Sequence, residues 1–85
     1  MSRWDGIDEF TAVAEQASFS AAARRLGLST SAVSREIARL EDRLQTRLLH
    51  RTTRRVELTD AGRDFLYRCR RLIDERDEAL AAVQP

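Results

Sequence analysis

The sequence predicts a mainly α-helical fold: a winged helix-turn-helix with a two-stranded wing and a long C-terminal linker or dimerisation helix. Three observations predict it. Two short amphipathic segments meet at Gly27, and the second opens behind a serine. Two β-prone pieces follow, near residues 49–51 and 56–58. Beyond Thr59 an apolar stripe recurs every three or four residues almost to the end of the chain.

The first helix is expected over Asp5–Gln16. Ile7, Phe10, Val13 and Ala14 share one face, and Asp5, Asp8 and Glu9 suit the positive end of the helix dipole. Ser18 is placed to cap a second helix, Phe19–Leu26, with Phe19, Ala22, Ala23 and Leu26 inward. Gly27 then stands where a left-handed residue ends a helix. Ser29 caps a third helix from Thr30 to about Thr46. Val33, Ile37, Leu40 and Leu44 form its core stripe, with Arg35, Arg39 and Arg43 on the far side. Leu49–Arg51 and Val56–Leu58 read as the strands of a wing around a polar turn that lacks the usual glycine or asparagine. Thr59 caps the last helix, which is expected to reach about Val83, roughly 37 Å at 1.5 Å per residue. That is longer than a small domain needs. Leu66, Cys69, Ile73, Arg76, Leu80 and Val83 recur at three-four spacing, widened by Phe65, Leu72 and Ala79, as in a seam for a partner helix. The expected division is a winged helix-turn-helix over 1–58 and a linker helix over 59–85.

With 85 residues the chain is one domain at most. No apolar run approaches a membrane span, and Met1 to Asp5 does not read as a signal peptide. One cysteine (Cys69) and one histidine (His50) allow neither an internal disulfide nor a closed zinc site. A reducing cytoplasm without a metal or cofactor is the reading these residues give, with His50 a wing or core residue and Cys69 a small hydrophobe. No nucleophile–base pair or phosphate loop suggests an enzyme.

Charge is distributed unevenly. All fifteen basic residues are arginine, yet the net charge is only +1. Ser18–Arg55 holds nine arginines against three acids, a net +6, whereas 1–17 and 72–85 each carry −3. Arginine offers phosphate and guanine a planar two-pronged fork. A charge run alone is equally a solvated face. The helix-turn-helix decides between them: small alanines at the crossing, a glycine turn and a capped second helix with an arginine face fit a major groove, not just a packed hairpin. The competing class is a protein-interaction module in which only the last helix pairs.

The run Ser18 to Ser29 (SFSAAARRLGLS), then Ser31 to Arg35 (SAVSR) and Ile37 to Glu41 (IARLE), resembles the LysR-type transcriptional regulators. So do Arg47 to Thr52 (RLLHRT) and Leu58 to Gly62 (LTDAG). The resemblance covers nearly the whole chain from about Asp5. It implies the N-terminal DNA-binding domain of a bacterial regulator that reads double-stranded DNA as a homodimer on an imperfect palindrome. A small-molecule effector would act only through a further domain that this chain lacks. Base-reading positions carry over to Thr30, Ser31, Ser34 and Arg35. Wing contacts to the backbone or minor groove carry over to Arg51, Thr53 and Arg54. Thr30 and Glu36 stand where many members carry glutamine. Ser29 reads first as a cap, its hydroxyl or backbone also open to a phosphate, and Arg39 is open both to DNA and to pairing with Glu36. Arg43 is likewise open to DNA or to pairing with Glu36 or Asp42. The dimer interface implied by the last helix comprises Phe65, Leu66, Cys69, Leu72, Ile73, Arg76, Leu80 and Val83, with Arg76 reaching Glu75 or Asp77 of the partner.

Overall fold

The computed structural model describes residues 4–50 and 55–85. Four helices and one two-stranded sheet follow in order: α1 (Ile7–Gln16), α2 (Phe19–Leu26), α3 (Thr30–Leu44), β1 (Leu49–His50), β2 (Glu57–Leu58) and α4 (Asp60–Ala82). This is the mainly α winged helix-turn-helix expected from the pattern, with shorter ends.

Local chemistry explains each boundary. α1 opens at Ile7 rather than Asp5, because the chain turns at Trp4–Gly6 and the Ile7 N–H reaches the Trp4 carbonyl at 3.1 Å. Ser18 Oγ accepts the Ala21 N–H at 3.1 Å, and Ser29 Oγ accepts the Ala32 N–H at the same distance. These are the N-caps that the spacing calls for. Gly27 lies at φ 69°, and the next residue, Leu28, sends its N–H back to the Ala23 carbonyl at 2.9 Å. A left-handed terminus of this kind is why glycine stands between the two helices. α3 stops at Leu44, with Gln45 left-handed (φ 53°). Leu44, expected in the core stripe, is 42% exposed there, since the helix ends before anything covers it.

The core lies between α1, α2, α3 and the first turns of α4. Phe10, Val13, Ala22, Ala23, Val33, Ile37, Leu40, Leu48, Leu49, Leu66 and Cys69 are all buried. The Phe10 and Phe65 rings tilt against each other at 5.5 Å. β1 and β2 pair antiparallel, Leu49 with Leu58 and His50 with Glu57, and β2 opens at Glu57, one residue later than expected from β-propensity. Residues 51–54, which join them, lie outside the described residues. Thr59 ties the sheet to α4. Its hydroxyl accepts the Gly62 N–H at 2.9 Å and donates to the Arg47 carbonyl at 2.7 Å, while its N–H reaches the Leu48 carbonyl at 3.0 Å. Gly62 sits so close that a Cβ there would fall 2.1 Å from the Leu48 carbonyl oxygen. α4 has 23 residues, and the molecule is twice as long as it is wide, 47 × 24 × 23 Å.

Candidate nucleic-acid interface

The start of α3 follows the glycine turn. Ser29, Thr30, Ser31 and Arg35 are exposed and Ser34 is half-buried, while Val33 and Ile37 turn inward. The apolar side anchors the helix and leaves the polar side of its first two turns open. Ser29 spends its hydroxyl on the cap and lies 3.3 Å from the Ser31 hydroxyl. Arg35 has no ion-pair or hydrogen-bond partner among the described residues, and neither does Arg24 on α2.

The remaining arginines of this segment differ. Arg39 holds Glu36 at 2.8 Å, one of the two alternatives open to it. Arg43 donates to the Asp5 carbonyl rather than pairing with Glu36 or Asp42, because its position near the end of α3 brings it beside the turn before α1. Arg51, Thr53 and Arg54 lie outside the described residues. Arg55 and His50 are exposed at the wing's base.

Pattern reading missed Glu41. It is 3% exposed, and its Oε2 accepts the N–H groups of Leu48 at 2.8 Å and Leu49 at 3.2 Å. The signal was available: Glu41 follows Ile37 by four residues and therefore falls on the buried face.

On α4 the seam divides. Leu66 and Cys69 are buried and Phe65 is packed on the same core, so these three serve the domain's own interior rather than a partner. The cause is that the first turns of α4 lie across α1. Burial pushes the Cys69 thiol up to about 11, with the Thr11 hydroxyl and Asp8 as smaller influences, so the thiol is unionised near neutrality. Arg76 is also engaged within the chain. Its guanidinium forks onto the two oxygens of Asp8 at 3.1 and 3.2 Å, lies 3.6 Å from Asp77, and stacks over Trp4 at 5.4 Å. The hydrogen bond to Asp8 raises its pKa further. A partner helix is not needed to satisfy it. Leu72, Leu80 and Val83, by contrast, are 47%, 57% and 81% exposed, with Ile73 half-buried beside them.

Between α1, the end of α2 and α4 lies a groove of about 290 Å³, lined by Asp8, Glu15, Arg25, Arg70 and Arg76 among others. Its charges are spent on each other: Glu15 accepts from Arg25 at 3.0 Å and from Arg70 at 3.1 Å. Partial burial pushes the Glu15 carboxyl up, but the two arginines outweigh it and hold the group below its ordinary value. Among the described residues no group of three or more His, Cys, Asp or Glu is arranged to hold a metal, and no helix is long and apolar enough to cross a membrane.

Residues 4–63 match the family model described as bacterial regulatory helix-turn-helix protein, lysR family. An HTH-type transcriptional regulator of Xanthomonas campestris pv. campestris (strain 8004) is 53% identical over 74 residues, covering 87% of this chain and 22% of the relative. The HTH-type transcriptional activator AaeR of Escherichia coli (strain K12) is 45% identical over 75 residues, 88% of this chain and 24% of the relative. The chain thus spans less than a quarter of the length of these relatives. Among solved structures, the BenM DNA-binding domain in complex with catB site 1 DNA superposes with a TM-score of 0.90 at 31% identity, over 95% of this chain and 90% of that one. The oxidised form of Corynebacterium glutamicum OxyR gives 0.88 at 29% identity, over 94% of this chain and 26% of that one.

Proposed function

Because the chain belongs to the lysR family of bacterial regulatory helix-turn-helix proteins, we propose that it reads a specific operator in double-stranded DNA as a homodimer. The first two turns of α3 enter the major groove, where Thr30, Ser31, Ser34 and Arg35 meet base edges and Ser29 meets a phosphate. Arg51, Thr53 and Arg54 of the wing meet the backbone or the minor groove. The observation that carries this reading is Arg35: exposed at the start of α3 and without a partner among the described residues, while Arg39 on the next turn is held by Glu36. A free guanidinium reaches guanine without first breaking an ion pair. The likeness to a DNA-binding domain seen with DNA supports the binding of DNA.

Pairing of two copies rests on the outer half of α4. Leu72, Leu80 and Val83 continue the three-four stripe past the point where the domain covers it. A two-fold pair of such helices sets two copies of α3 on the halves of an imperfect palindrome, which one copy reads too briefly to select. Selection of bound sequences from random DNA, with sedimentation of the free protein, tests both parts. An enriched inverted repeat and a dimer are expected. No enriched sequence, or a strict monomer that binds its site without cooperativity, defeats the corresponding part.

A further inference from the structure

Among the described residues Glu41 is the one charged side chain that is buried. A carboxylate is kept from water only where hydrogen bonds replace its hydration. Here they come from the backbone at the root of the wing. α3 ends at Gln45 and the chain doubles back, bringing the amides of Leu48 and Leu49 against the inner face of α3. Glu41 Oε2 takes both, at 2.8 and 3.2 Å, and Oε1 stands 3.7 Å from Arg47. Leu49 opens β1 and pairs with Leu58, the last residue of β2. The Leu48 carbonyl accepts the Thr59 N–H at 3.0 Å, at the entrance to α4. One carboxylate on the recognition helix thereby holds the first strand directly and the second strand through it.

We propose that Glu41 is a positioning residue for DNA binding, setting the wing at a fixed angle to the recognition helix so that both engage one duplex together. The inference rests on the reading of the wing as a DNA contact. Glu41 itself touches no DNA; it acts through the Leu48 and Leu49 amides. An apolar residue of the same size fills the space but leaves both amides unmet, so the wing root parts from α3 while the apolar packing persists.

The test uses Glu41→Met and Glu41→Gln alone and each combined with Arg54→Ala. Amide hydrogen exchange on the free protein comes first. In Glu41→Met the amides of Leu48, Leu49 and the two strands lose protection, while those of α1 and α2 keep theirs. In Glu41→Gln, which retains a neutral acceptor, the loss is smaller and confined to the same amides. An equal loss of protection along the whole chain in both variants shows general destabilisation and overturns the proposal. That comparison holds through Glu41→Gln even if Glu41→Met does not fold.

Operator binding is then measured across salt concentrations. Glu41→Met lowers affinity roughly tenfold and reduces the salt slope by about one, as Arg54→Ala does, with base preferences under α3 unchanged. The double variant is little worse than either alone, because the wing is lost only once. Glu41→Gln restores most of the affinity. If Arg54→Ala is effective but the two losses multiply, the proposal is overturned and the wing reading stands. If Arg54→Ala changes neither affinity nor salt slope, the wing reading falls and takes the proposal with it.

Discussion

The two arginine-rich sides of this molecule carry similar side chains in opposite states. On the α1–α4 side, Arg25 and Arg70 share Glu15, and Arg76 forks onto Asp8. At the start of α3, Arg35 has no partner among the described residues. Arginine number therefore says little about where an anion binds; the supply of carboxylates nearby decides. Two acids of α1, Asp8 and Glu15, are consumed by arginines of α2 and α4. The α3 face is left with less opposing charge, and its field reaches a phosphate backbone less screened. A second contrast lies within α4. Its first turns fill the domain's core, whereas its later turns expose the same kinds of residue.

Substitutions along α4 separate its halves, and one in the core has the largest expected effect. Leu66→Ala empties part of the interior and lowers unfolding stability by roughly 2–5 kcal/mol, leaving association of the folded protein intact. Denaturant titration with sedimentation reads both. Leu72→Asp with Leu80→Asp reverses that pattern: folding is nearly unchanged, the protein sediments as a monomer, and operator affinity falls on the order of 100-fold, about 2.7 kcal/mol. Dimers that survive this double change place the interface elsewhere.

The contrast between the two arginine sides gives smaller effects. Arg35→Ala weakens operator binding by roughly 1–3 kcal/mol and relaxes preference at one base pair per half-site, with melting unchanged. Unaltered affinity for the selected site removes Arg35 from the interface. Glu15→Gln should do the opposite, costing up to about 1 kcal/mol of stability because its partners are partly exposed, and leaving operator affinity unchanged. The pH dependence carries the sign. The folded Glu15 carboxyl sits below its ordinary 4.5, so its contribution is present above that value and is lost as pH falls through the lower folded value. Glu15→Gln therefore shows less loss of stability on acidification than the parent. An equal loss in both, followed by thermal melting from pH 6 to pH 3, separates Glu15 from the acid response.

Much of the fold was legible before any coordinates. α2 has the expected ends because capping serine, small inner residues and αL glycine all act within a few residues of one another. The exposed start of α3 was readable for the same reason, since a single helix period sorts Val33 and Ile37 from Arg35. Glu41 was not readable as a buried acceptor, although its period pointed inward. Its partners are two backbone amides that reach it only after the chain reverses at Gln45. Leu44 misled for a related reason: a periodic position is buried only if something is there to cover it.

Local periodicity and capping determined the helices, the turn and the polar face of α3, because those depend on neighbours within a turn or two. Tertiary structure alone decided which charges are spent. Asp8 and Arg76 are 68 residues apart, and Glu15 and Arg70 are 55 apart. No spacing rule links such positions. It also decided where the stripe on α4 passes from core to surface, since that point depends on how far α1 extends beneath it and not on any residue of α4.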